Sequence, residues 1–296
     1  MTELDLGRLG VWGHLDSLDA PGAIAYARRA EDLGFTTLWV PETVGREPIA
    51  LLAILAIGTE TLNLGTSIVN IWGRDAQAAR MAALTLADAS GGRFVLGLGV
   101  SHPHLATKLR GHTFERPLTR MREYLRAYRA AVYRGPLADG VAEPPVMVAA
   151  LRERMTDLAA TDADGALPYL VTAKRVAWMR DRLDAASPAV RPRLAVTLPV
   201  VIGATDDRNA ARAYLKPYLR TPTYQASWAL QGFAATDWEP PGSDRLVDAM
   251  VAIGPVDSAR DRIGELHDAG ADHVAVIPLA DDGSTEHLPT LERLAA

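Results

Sequence analysis

Residues 90 to 104 read SGGRFVLGLGVSHPH, a glycine-spaced apolar run that gives way to two histidines. Gly97 and Gly99 at a strand exit let backbone approach a phosphate or a flat ring. A dinucleotide fingerprint would need a third glycine inside a helix that starts at once, and Ser101, His102, Pro103 and His104 stand there instead. That rules out a Rossmann turn. His102 and His104 could meet on a metal, but no acidic or histidine partner is near in sequence and the intervening proline directs the rings poorly. We therefore expect no metal site, and His102 is read as a pocket-wall or proton-handling residue.

Glu42 directly follows Pro41 at the end of an apolar run. It could act as acid, base or hydrogen-bond acceptor, or cap the next helix. GTSIVN (65 to 70) sets small polar residues in the middle of what should be a buried strand. A β-bulge there would bring backbone against a ligand, and a hydroxyl satisfied by neighbouring backbone explains the pattern equally well. AALRERM (149 to 155) joins small residues to a helix start carrying Arg152 and Arg154. Free amides and two cations suit an anion; solvated arginines, as on the Arg-rich stretch 116 to 134, are the alternative. Trp12 and His14 complete a set of residues that fall at run ends and could surround one ligand.

The elements that must hold these residues alternate along the whole chain. Strand-like runs are expected at 9–12, 36–40, 62–70, 93–100, 145–150, 165–167, 194–203 and 273–279. Helical periodicity is expected over 21–33, 48–58, 75–89, 116–134, 151–160, 172–186, 206–219 and 257–269, with a closing helix. Eight strands each followed by a helix is the count of a (β/α)8 TIM barrel, an α/β fold. Near-continuous apolar strands agree, because parallel strands are covered on both faces. A doubly wound open sheet is the alternative. No Pro/Gly/Ser linker or composition shift marks a second domain, so 1–296 is expected to be one domain. Two stretches, 101–115 and 220–256, exceed simple connections. As insertions at the C-terminal rim they are candidate pocket walls, with Trp228, Phe233 and Trp238 in the second.

Composition narrows the function classes. With 48% hydrophobic and 23% charged residues, the chain can bury a large core. A net charge of -5 gives no electrostatic footing for nucleic acid. The absence of cysteine removes thiolate chemistry, disulfides and iron–sulfur ligation together. No export segment opens the sequence and no run reaches the length of a membrane span, so a cytoplasmic location away from membranes is expected. A lyase that uses a strand-end lysine is disfavoured, since Lys108, Lys174 and Lys216 all fall off the expected strands.

Taken together, LGFTTLWVPE, LNLGTSIVN, the stretch from Ala79 to Gly99 that ends in SGGRFVLGLG, PVMVAA with LAATDADGALPYL, and AGADHVAV resemble the bacterial luciferase-like superfamily. Within it the sequence is similar to the coenzyme F420-dependent oxidoreductases of actinobacteria. The resemblance covers nearly the whole chain. It implies a barrel, usually a homodimer, that binds a deazaflavin or FMN at its C-terminal rim and acts on a small organic substrate. It also implies a cis peptide between Ser67 and Ile68 supporting the ring from behind, with Gly97 and Gly99 leaving room for that ring. Glu42, Thr43, Asn70, Gly99, Val100, Ser101 and His102 would line the ring. The backbone of Ala149, Ala150 and Leu151, with Arg152, would hold the phosphate. Lys108 and Arg110 would favour the anionic F420 tail.

Hydride transfer at the deazaflavin C5 is the implied chemistry, with His102, His14 and Glu42 as the candidates for moving the proton. Relatives that oxidise sugar phosphates carry histidine where Thr43 stands and glutamate where His102 stands, so their acid–base assignment does not transfer. An FMN-dependent monooxygenase, and a cofactor-binding protein without turnover, are the rival readings.

Overall fold

The computed structural model describes residues 4–186, 190–203 and 207–296. Its first half runs β1 (Leu9–Trp12), α1 (Ala20–Asp32), β2 (Thr37–Val40), α2 (Pro48–Gly58), β3 (Asn63–Thr66), β4 (Val69–Asn70), α3 (Ala76–Ala89), β5 (Phe94–Gly99) and α4 (Pro117–Ala130). There follow β6 (Val146–Ala149), α5 (Glu153–Asp162), β7 (Gly165–Leu167), α6 (Ala173–Ala185), β8 (Arg193–Ile202) and α7 (Asp207–Leu215). The remainder is α8 (Pro222–Leu230), α9 (Asp244–Met250), β9 (Ala252–Gly254), α10 (Val256–Asp268), β10 (His273–Pro278) and α11 (Leu288–Ala295).

Among the described residues every strand pairing is parallel, and β1, β2, β3, β5, β6, β7, β8 and β10 form a closed ring. This is the expected TIM barrel. Strand alternation sets its two packing layers. On β2, Leu38 and Val40 face the helices while Trp39 points into the barrel. Helix starts follow the strand ends because short acceptors cap them. Asp19 accepts from the Gly22 amide at 2.8 Å, and Asp75 from the Ala78 amide at 2.8 Å. Thr172 caps α6 in the same way.

Several boundaries differ from the sequence reading. The run 62–70 is two strands, because the Ser67–Ile68 peptide is cis, as the resemblance implied, and breaks the ladder between β3 and β4. The Arg-rich helix stops at Ala130 rather than 134, where Gln77 clasps both backbone groups of Val132 in place of helical partners. Stretch 220–256 is largely ordered into α8, α9 and β9, and β9 pairs with β8 outside the ring. The helix expected over 206–219 runs from Asp207 to Leu215 among the described residues, four residues short of its expected end; position 206 lies outside them. No helix among the described residues is long and apolar enough to cross a membrane.

Candidate active site

The rim at the strand C-termini is built around the bulge between β3 and β4. Thr66 ends β3, and its hydroxyl both accepts from the Gly97 amide at 2.8 Å and donates to the Gly97 carbonyl at 2.9 Å. A Cβ on Gly97 would stand 1.9 Å from the Thr66 carbonyl oxygen. One on Gly99 would stand 2.5 Å from the Ile68 side chain. The space the two glycines leave is therefore filled by the bulge itself, which corrects the expectation that it receives the ring. The Trp12 indole donates to the Ser67 carbonyl at 3.0 Å and fixes the bulge from β1.

Glu42 braces the other side. Its amide donates to the Ile68 carbonyl at 3.0 Å. Its Oε2 accepts from the backbone and side-chain amides of Asn70, both at 2.7 Å, and from Arg74 at 3.2 Å. Its Oε1 accepts from Arg74 at 3.1 Å and Arg110 at 2.9 Å. With its side chain only 6% exposed and its lone pairs engaged, this carboxylate acts as a brace. Asn70 extends the brace, since its Oδ1 accepts from the Trp72 amide at 3.0 Å and the Trp72 indole donates to the Val100 carbonyl at 2.9 Å. β4 and β5 are thereby stitched together where Ser101, at φ 54°, turns the chain toward His102.

His102 is the contrast. Its Nδ1 is buried and has no hydrogen-bond partner. Its ring stacks nearly parallel on His104 at 6.0 Å and lies 5.4 Å from Tyr224. The pair stacks instead of converging on a common point. Burial first, and then His104, lower the His102 pKa below the ordinary histidine value, so the ring is neutral near pH 7. His14 is lowered too, mainly by burial and against the pull of Asp16 and Glu286, and its ring sits edge-on to Trp12 at 4.9 Å.

The remaining sequence candidates take varied places. Thr43 donates to Asp16 at 2.8 Å, which also accepts the Arg46 amide, so it closes the loop after β2. Ala149 lies across from Gly99, and the Leu151 carbonyl accepts from Arg175. Arg152 precedes α5 with extended backbone and no side-chain cap, leaving that helix end open to an anion. Arg110 is spent on Glu42. Among the aromatics of the long insertion, Trp228 is fully buried with its indole donating to the Leu170 carbonyl, and Phe233 is buried under Arg245. These two are packing residues, not pocket walls.

Sequence reasoning missed the tyrosines. Tyr169 follows β7, Tyr214 lies in the last turn of α7, Tyr218 follows that helix, and Tyr224 sits on α8; their rings touch one another at 5.1 to 5.8 Å. LPYL directly after a strand was the available signal, since a strand C-terminus in a barrel is rim. Arg74 and Trp72, in the IWGRD segment, carried no sequence signal.

A barrel with a bulge at the end of its third strand and an aromatic rim defines the class: residues 4–273 match the model of the luciferase-like monooxygenases. The chain belongs to this family. It is 34% identical over 247 residues to a protein of Mycobacterium tuberculosis named as a candidate coenzyme F420-dependent oxidoreductase, covering 72% of this chain and 70% of that one. Its fold matches an F420-dependent secondary alcohol dehydrogenase solved with an F420–acetone adduct (TM-score 0.75, 12% identity, 98% and 97% of the two chains). It also matches the FMN-bound oxygenating component of 3,6-diketocamphane monooxygenase from Pseudomonas putida (TM-score 0.72, 17% identity, 98% and 96%).

Proposed function

We propose that this chain is an F420-dependent oxidoreductase that transfers a hydride between the cofactor and a small organic substrate. The observation that carries the reading is His102, a neutral imidazole with a buried, unpartnered Nδ1 on the rim beside the bulge. A buried polar atom without a partner costs about 1–3 kcal/mol, which a bound ligand removes. The identity shared with the mycobacterial relative supports F420 as the cofactor.

The residues present fit such a group. The bulge at Ser67 and Ile68, braced by Glu42 and Asn70, offers a fixed surface for a flat ring, lined further by Thr43, Gly99, Val100 and Ser101. The Ala150 amide donates to the Leu167 carbonyl at 3.4 Å, so Ala149 and Ala150 shape the strand end, and the uncapped start of α5 at Leu151 and Arg152 offers amides and a cation for a phosphate. When bound, the deazaflavin supplies a hydride donor or acceptor at C5. The protein then has a proton to move. His102 takes it at Nδ1 when the substrate is oxidised and returns it when the substrate is reduced. Glu42, fully hydrogen-bonded, positions the bulge and leaves proton transfer to His102; His14 packs on Trp12 and holds the wall next to it.

We also infer a homodimer. Helix α2 carries no charged residue, yet on it Ile57 is 84% exposed and Ile54 is exposed as well, as is Met81 of the adjacent α3. A helix apolar on all sides is stable only when covered. Sedimentation of the wild type as a dimer and of Ile57→Glu as a monomer is expected.

Titration with F420 and with FMN, followed by cofactor fluorescence, tests the main reading. Micromolar or tighter F420 binding without an FMN response is expected. A preference for FMN would instead identify a monooxygenase, and binding of neither would refute the account of the rim.

A further inference from the structure

Hydride transfer uses the bulge and His102 and gives the four rim tyrosines no part. Tyr169 donates its hydroxyl to Tyr218 at 3.0 Å and is hydrogen-bonded to Tyr214 as well. The hydroxyl of Tyr224 takes no part in that trio, although its ring stands edge-on to Tyr218 at 5.1 Å. These rings continue the site described above. Tyr169 lies 6.0 Å from Trp12, whose indole holds the Ser67 carbonyl, and Tyr224 lies 5.4 Å from His102. One aromatic wall therefore runs from the bulge to the unpartnered imidazole.

Burial holds the hydroxyls of this wall neutral. Tyr169, Tyr214 and Tyr224 have hydroxyl pKa values pushed far above the ordinary tyrosine value, first by burial and then by neighbouring tyrosines, Tyr214 for Tyr169 and Tyr218 for the other two. Among the described residues the ring contacts and hydroxyl hydrogen bonds of these tyrosines run to one another and to Trp12, His102 and Trp228, with no carboxylate, lysine or arginine among those partners. An anionic substrate placed here would give up its water without meeting an opposite charge. A neutral ring would lose little and gain offset or edge-on contacts with the tyrosines.

We propose that Tyr169, Tyr218, Tyr224 and His102 form the substrate subsite and that it selects an uncharged, ring-bearing carbonyl compound. The ring lies against Tyr224, and the carbonyl oxygen lies within reach of the Tyr224 hydroxyl and the His102 imidazole. This rests on the rim being the cofactor and substrate site. It predicts discrimination by charge at constant ring shape, which a purely structural tyrosine cluster would not produce.

Acetophenone and para-acetylbenzoate differ only in a carboxylate, and their binding is measurable by saturation-transfer NMR on the protein with and without F420. Acetophenone is expected to bind at least about tenfold more tightly, about 1.4 kcal/mol. Tyr224→Leu, which removes the ring and the hydroxyl together, should weaken acetophenone about tenfold, and Tyr224→Phe, which removes only the hydroxyl that reaches the carbonyl, should weaken it by a smaller factor of about threefold. Both variants should hold F420 as the wild type does. Equal or tighter binding of para-acetylbenzoate by the wild type overturns the proposal without any variant being needed. Unchanged acetophenone binding by a folded Tyr224→Leu protein overturns it too. Failure of the wild type to bind F420 would overturn the cofactor reading instead, a result separate from ring and charge selection on the cofactor-free protein.

Discussion

His273 and His102 are both histidines held neutral inside the barrel's ends, and they differ in whether the protein completes them. At the strand N-termini, His273 is 1% exposed, with Nδ1 2.8 Å from the Gly7 carbonyl and Nε2 accepting from the Trp39 indole at 3.0 Å. Each ring nitrogen has one partner, so the proton sits on Nδ1 and the pair plugs the barrel. At the strand C-termini, His102 has a stacked neighbour and an empty Nδ1. His273 is fully satisfied within the protein, whereas the Nδ1 of His102 has capacity left for a ligand at the rim. On the reading proposed above, the two ends of one barrel divide stability from chemistry.

Breaking the plug should have the largest effect. Trp39→Ala removes a fully buried aromatic and leaves His273 without its donor, and should cost about 3–5 kcal/mol in denaturant unfolding. Acid comes next. Burial lowers the His273 pKa from 6.5 to about 4, so the unfolded chain takes up a proton there that the folded one refuses. The stabilisation is present above pH 6.5, is lost as pH falls toward 4, and amounts to about 3 kcal/mol. A His273→Gln variant, less stable at neutral pH, should show a flatter stability curve across that window; an unchanged slope would mean that other groups set it.

Gly97→Ala tests the rim. Its new methyl would press on the Thr66 carbonyl, and backbone must move to relieve it, at about 1–3 kcal/mol. Because Thr66 precedes the bulge, F420 affinity should fall with stability. Stability lost with cofactor affinity intact would separate the bulge from the site.

The smallest effect on folding, and the sharpest on function, is expected at His102. His102→Gln should leave the melting temperature nearly unchanged, since no hydrogen bond holds Nδ1, yet lower turnover of reduced F420 about tenfold or more. A large drop in stability with normal turnover would make His102 a second plug and remove the contrast with His273.

Alternation of apolar runs with helical segments made the barrel legible, because strand and helix periodicities are local properties of the chain. SGGRFVLGLG marked β5, and GTSIVN marked the bulge, because small and polar residues inside an apolar run are visible without any partner. The purpose of Gly97 and Gly99 was not legible. It depends on a carbonyl from position 66 and a side chain from position 68 arriving across the sheet. The brace on Glu42 likewise needs Arg74 and Arg110, distant in sequence and unremarkable in type.

The sequence by itself determined which elements form, their order, and the rim on which chemistry is possible, since capping, periodicity and the handedness of parallel crossovers follow from neighbouring residues. Tertiary structure alone decided that Glu42 is saturated while His102 is left open, and that tyrosines 45 to 55 positions apart share one hydroxyl network or ring contact. The physical reason is that hydrogen-bond saturation and desolvation are set by what surrounds a group in space, and barrel closure brings that environment from every part of the chain.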